Sequence, residues 1–165
     1  MPHRALIGLG TNLGDRRANI AEALEKIREI ENSRVIRSSS LYESEPHGDA
    51  KTWFYNAACE LETEISPQDV LKNLLEIEKT MGRRRVKGKK WGSRIIDLDL
   101  LFYDNVVLGG RKLVLPHKRL AERKFVLMPL AEIAPQQSHP ETGQTVSQLL
   151  ASTLDDKKVT LLPPR

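Results

Sequence analysis

One cysteine, Cys59, stands in 165 residues, so no internal disulfide can staple the chain, and a reducing, cytoplasmic setting is the expected location. Cys59 lies in the apolar run Asn-Ala-Ala-Cys-Glu-Leu and reads as core packing. No apolar stretch approaches the roughly 20 residues that cross a bilayer, which excludes a spanning helix, and no membrane partner is expected. The start, Met-Pro-His-Arg, runs directly into strand-like Ala-Leu-Ile-Gly-Leu and lacks a signal-peptide pattern. Repeats and low-complexity tracts are missing, and so is a clear linker. Aromatics make up only 5%, and the four histidines (3, 47, 117, 139) have no zinc-type spacing. No Ser-His-Asp or Cys-His nucleophile system emerges from spacing either.

Hydrophobic residues at 39% and charged residues at 29% are ordinary for a globular domain, and the length suits a single domain, 1–165. The net charge of +4 is mild, but six of the eight residues from Arg83 to Lys90 are cationic. A solvated loop is the plain account of such a run; a grip on phosphate is the other.

The apolar pattern predicts a strand over 4–10, a helix over 16–30 capped by Asp15, and a strand over 34–42. A third strand follows over about 53–62. Ser66-Pro67 then opens a helix that points Val70, Leu71, Leu74, Leu75 and Ile77 inward and stops at Met81-Gly82. A fourth strand covers 95–103 and ends in a turn at Asp104-Asn105. The order is β-α-β-β-α-β, which predicts an α+β ferredoxin-like sandwich with both helices on one face of an antiparallel sheet. Residues 106–165 read as an appendage, with a short hairpin at Gly109-Gly110 and helical pieces near 119–130 and 146–154.

Within the fourth strand, Asp97 and Asp99 are the only charges between Ile95 and Tyr103. Residues two apart share a face, so two carboxylates meet on one side of an apolar strand. That arrangement is costly unless a cation compensates. Ion pairing with Arg83, Arg84, Arg85 or Arg94 is the structural alternative. The chemical one is Mg²⁺, which takes one or two carboxylates plus phosphate oxygens and water. Gly8-x-Gly10 with Gly14 is not a dinucleotide fingerprint, because Leu13 stands where the third glycine belongs; a tight turn is the better account. Gly82 to Lys90 fails the Walker spacing. In Trp53-Phe54-Tyr55-Asn56, Trp53 and Tyr55 read as core, while Phe54 and Asn56 share the other face. An aromatic ring beside an amide suits a flat heterocycle. His117 beside Arg119 and Arg123 is suited to a nucleotide phosphate or ribose.

These pieces follow one another in a recognisable series. It runs Ala-Leu-Ile-Gly-Leu-Gly-Thr-Asn-Leu-Gly-Asp, Ser39 to Pro46, Phe54-Tyr55-Asn56-Ala57-Ala58, Gly82-Arg-x-Arg85, Trp91-Gly-x-Arg94-x-x-Asp97-x-Asp99, Pro116-His117, and Arg123-x-Phe125-x-Leu127-x-Pro129-Leu130. Over a core of about 4–135 the chain resembles the 6-hydroxymethyl-7,8-dihydropterin pyrophosphokinases of folate synthesis. The resemblance implies transfer of pyrophosphate from ATP to the pterin hydroxymethyl oxygen with release of AMP. It further implies two Mg²⁺ ions on Asp97 and Asp99, and Arg83 and Arg94 as catalytic phosphate clamps on a closing basic loop. ATP contacts fall at Glu78, Arg83, Arg85, Trp91, Arg94, Leu100, Lys112, His117 and Arg123. The pterin would lie between Phe54 and Phe125, with Asn56 and the backbone near Ser44 and His47 reading its amide edge. A monomer acting on small molecules is implied, without nucleic acid. Two rivals remain from the residues alone: a single-stranded RNA-binding module, which would want an absent RNP-like aromatic pattern, and a metal-dependent nucleotide hydrolase.

Overall fold

The computed structural model describes residues 1–46, 50–82 and 95–164. Strand β1 (His3–Thr11) alternates its side chains into two separate cores, Ala5, Ile7 and Leu9 on one side and Leu6 on the other. Asp15 accepts a hydrogen bond from the Ala18 amide and opens α1 (Arg16–Arg28), whose Ile20, Ala23 and Ile27 are buried. Ser66 does the same for the Asp69 amide ahead of α2 (Pro67–Gly82), which buries Val70, Leu74 and Ile77. Leu75, expected inward, is 52% exposed; the helical period carries it past the apolar stripe.

The expected second strand divides into β2 (Ser33–Ser38) and β3 (Tyr42–Ser44). Ser39 breaks the run: its amide still donates to the Ala58 carbonyl, but its hydroxyl replaces a backbone carbonyl in accepting from the Ala58 amide. Ser40 then turns away to Glu132, which accepts from both its amide and its hydroxyl. Both β2 and β3 pair antiparallel with β4 (Phe54–Thr63), the long central strand. The last core strand, β5 (Asp97–Tyr103), begins two residues later than the apolar run suggested and pairs with β1. A two-stranded hairpin of β6 (Leu108–Gly109) and β7 (Val114–Leu115) follows at the expected place.

The remaining chain corrects the expected appendage. Helix α3 (Lys124–Ile133), after a 3-10 turn at Leu120–Glu122, packs Val126, Leu127, Leu130 and Ile133 with Leu6, Ala58, Leu101 and Phe102 in the second core. Helix α4 (Val146–Ser152), closed by a Thr145/Gln148 capping box, adds Val146 and Leu149 there. Strand β8 (Val159–Leu161) pairs with β3, giving the sheet order β5-β1-β4-β3-β8 with β2 also on β4. The α+β antiparallel sheet is therefore covered on both faces: α1 and α2 on one, α3 and α4 on the other. A strand that is apolar on both faces needs two covers. Periodicity shows that both faces are apolar but does not name the second cover.

Candidate active site

The site gathers on the α3 side of the sheet, at the end where β1 finishes. Asp97 pairs with Gly10, Gly10 with Asn56, and Asn56 with Tyr42, so these residues form one row across four strands. One step along, Asp99 lies opposite Gly8 and Gly8 opposite Ala58. Directly paired residues point to the same face. The carboxylates on β5 and the amide on β4 thus face a common space across a β1 floor made of glycine. Gly8 and Gly10 are strand residues, as the expected strand over 4–10 has them; the turn that follows uses Gly14, with φ of 67°. A Cβ at Gly10 would come within 3.4 Å of the Asn56 Oδ1, so glycine keeps the floor low between acid and amide.

Asp97 and Asp99 are half-buried between the fully buried Leu98 and Leu100, which is the alternation their spacing required. The strand is less enclosed at these two positions than its composition suggested, so each carboxylate keeps partial access to water. From α2, the Glu78 carboxylate accepts from the Leu98 amide at 2.7 Å. Burial, joined by the charges of Asp97 and Asp99, raises the Glu78 carboxyl to about 7 against the pull of that hydrogen bond. On the other flank the His117 Nε2 stands 3.9 Å from the Asp99 Oδ1. The Arg119 amide donates to His117 Nδ1, which makes Nε2 the protonated nitrogen facing the acids. Burial and then Arg123 lower the His117 pKa. Arg123 is itself lowered, by burial and then by Arg119, against the opposing fields of Asp99 and Asp97. Negative and positive walls therefore meet across the same space.

Asn56 is 3% exposed, and its Nδ2 donates to the Ser44 hydroxyl at 2.7 Å. Phe54, paired with Ser44, is buried on this face two residues before Asn56. Phe125 is half-buried in the first turn of α3, with the Arg123 guanidinium 5.7 Å from its ring centre. Tyr55 packs into the other core, as expected, whereas Trp53 is 37% exposed at the entry to β4. Leu100 is buried in the α1–α2 core, which leaves only its backbone for a ligand. Lys112 lies exposed in the turn of the β6–β7 hairpin. His47, Arg83, Arg85, Trp91 and Arg94 lie outside the described residues, as does the whole basic run. A signal for the Gly8/Gly10 floor was present, since glycine inside a strand marks close approach. The Glu132 bridge had none.

The donor set suits a divalent cation. Two carboxylates on one face, with a third raised to about 7 by burial and by their fields, form a site that favours added positive charge. Among the described residues no group of three or more His, Cys, Asp or Glu is arranged to hold an ion by itself.

The family model for 7,8-dihydro-6-hydroxymethylpterin-pyrophosphokinase matches residues 6–135. A 2-amino-4-hydroxy-6-hydroxymethyldihydropteridine pyrophosphokinase of Methylorubrum extorquens is 43% identical over 149 residues, covering 90% of this chain and 92% of its own. The folic acid synthesis protein fol1 of Pneumocystis carinii is 39% identical over 95% of this chain, which spans only 21% of that larger protein. Among solved structures, an HPPK-DHPS chain of Plasmodium falciparum superposes with a TM-score of 0.70 at 17% identity, over 92% of this chain and 44% of that one. That last likeness concerns the fold. No described helix is long and apolar enough to cross a membrane.

Proposed function

The chain belongs to the 7,8-dihydro-6-hydroxymethylpterin-pyrophosphokinase family, and from that membership together with the site we infer how its residues carry the reaction. The enzyme moves a pyrophosphoryl group from ATP to the hydroxymethyl group of 6-hydroxymethyl-7,8-dihydropterin, in folate biosynthesis. The observation that supports the residue assignment is the shared row from Asp97 across Gly10 to Asn56, because it puts a phosphate-side acid and a pterin-side amide over one floor.

In our reading Asp97 and Asp99 are the residues that would hold two Mg²⁺ ions, which would supply charge neutralisation for the triphosphate and the leaving AMP oxygen. Asn56 and Ser44, already hydrogen-bonded to each other, present amide and hydroxyl groups to the pterin edge, with backbone near His47 completing the set. Phe54 and Phe125 stack the ring from β4 and α3. Arg123 and His117 steady the triphosphate and ribose from the cationic wall, joined by Lys112, while Glu78 and the Leu100 backbone serve the nucleotide side. Arg83, Arg85, Trp91 and Arg94 bring the remaining phosphate and base contacts, with Arg83 and Arg94 as clamps. The pterin hydroxymethyl oxygen attacks the β-phosphorus in line and gives up its proton, the bond from that phosphorus to the α,β-bridging oxygen breaks, and AMP leaves. Catalysis of this kind rests on alignment and charge neutralisation. We assign no general base. We further propose that residues 1–165 act as one catalytic unit, as a monomer in the cytoplasm.

The test is replacement of the acidic pair. Asp97→Ala and Asp99→Ala should each lower turnover with Mg²⁺, ATP and the pterin by about a thousandfold, several kcal/mol of lost charge stabilisation. The circular dichroism spectrum should remain that of the parent. Full turnover by both variants would remove the metal assignment.

A further inference from the structure

The substrate-side pocket has a second face, and one side chain dominates it. Ser44, Phe54 and Asn56 point to the α3 side, so their neighbours Glu43 and Tyr55, a directly opposed cross-strand pair, point to the α1 side. Arg16, the first residue of α1, lies across that pair. Its guanidinium sits 4.0 Å from the Tyr55 ring centre, and its Nη1 donates to Glu43 Oε2 at 3.1 Å and to the Trp53 carbonyl at 2.8 Å. The side chain is three-quarters buried, with Glu43 nearly as enclosed, so the ion pair is not an exposed surface contact. Residues 43, 53 and 55 each adjoin a pocket residue, and all three are held by this one guanidinium.

The turn that carries Arg16 is itself fixed. Asn19 Nδ2 donates to the Leu13 carbonyl and the Thr11 hydroxyl, and Asp15 caps the helix. Asn12, 1% exposed, donates to the Thr52 carbonyl at 3.3 Å, next to the carbonyl that Arg16 holds. The β1–α1 turn therefore grips the entry of β4 at two consecutive carbonyls. A planar fork that donates twice while stacking on a ring has no equivalent in lysine.

We propose that Arg16 is a positioning residue for the pterin pocket, fixing Ser44, Phe54 and Asn56 from behind the sheet without touching the substrate. This rests on the pocket assignment made above. Arg16 sets how accurately the pocket is formed, so its loss weakens pterin recognition and spares ATP. Among the described residues, the Arg16 guanidinium directs its hydrogen bonds to Glu43 and Trp53, on β3 and at the entry of β4, away from β5.

Steady-state kinetics with each substrate varied in turn test this. Arg16→Met, which keeps the stem and removes the fork, should raise the pterin KM about tenfold and change the ATP KM by less than about twofold. Arg16→Lys should recover only part of the loss, and it carries the test if Arg16→Met does not fold. Arg34→Met, which removes an exposed ion pair with Glu62 elsewhere on the sheet, should change neither KM. In the double variant with Asn56→Ala the two effects should fall well short of additive, because both act through one pocket. An unchanged pterin KM in the Arg16 variants, or equal rises for both substrates, overturns the positioning role. If Asn56→Ala itself leaves the pterin KM unchanged, the pocket assignment fails instead; if Asn56→Ala raises it and the Arg16 variants do not, only the Arg16 inference falls.

Discussion

Glu78 shows how the acidic pair governs its surroundings. Its carboxyl is raised from an ordinary 4.5 to about 7 by burial and by Asp97 and Asp99. A carboxyl whose folded pKa exceeds its unfolded one contributes stability that is present below about pH 4.5 and lost as pH rises through about 7. Glu78→Gln keeps the acceptor for the Leu98 amide and removes the charge. The variant without bound metal should therefore melt higher than the parent at pH 8, with the gap closing by pH 5; thermal unfolding across that range checks it. Added Mg²⁺ should narrow the difference at pH 8, since a cation on Asp97 and Asp99 offsets the same repulsion. At this scale the sequence was informative: two aspartates two residues apart among aliphatics predicted one shared face, and the structure has it. The partners of His117 were not readable, because the Arg119 amide that fixes its tautomer is a backbone group presented by a local turn.

Elements place these residues, and β1 is the one whose small side chains matter most. Gly10→Val should crowd the Asn56 Oδ1, 3.4 Å from the position of an added Cβ, and lower pterin affinity by about tenfold, roughly 1.4 kcal/mol. Equilibrium titration of the pterin against this variant decides the point. The tie between β3 and α3 is a second device. The Tyr42 hydroxyl donates to Glu132 Oε1 at 2.7 Å, and burial followed by Glu132 holds that phenol up at about 12. Glu132→Ala leaves Tyr42 and Ser40 without this acceptor and should cost about 1–3 kcal/mol in denaturant unfolding. Helix starts at Asp15 and Ser66 were legible, because caps are local chemistry. The division of β2 from β3 was not, since Ser40 answers to a carboxylate 92 residues away.

For the molecule as a whole, the second core explains why the C-terminal third belongs to the enzyme's structure. Helix α3 carries Phe125 and, just before it, Arg123, while its buried face closes the sheet side that the glycine floor leaves open farther along. Strand β8 extends the sheet from β3, and the Asp155 carboxylate accepts from the Lys124 amide at the start of α3. The composition of residues 106–165 gave helical pieces but no way to assign them to a sheet face, because an apolar stripe does not identify its partner. Deleting residues 154–165 should lower the melting temperature and weaken pterin binding together, as a calorimetric scan and a titration would record. The most direct test of the central claim is the fate of ATP with Mg²⁺, in the presence and absence of 6-hydroxymethyl-7,8-dihydropterin. One AMP formed for each pterin pyrophosphorylated, with no AMP or ADP when the pterin is left out or the metal chelated, is the predicted result. Release of ADP, or nucleotide cleavage at the same rate without pterin, would contradict it.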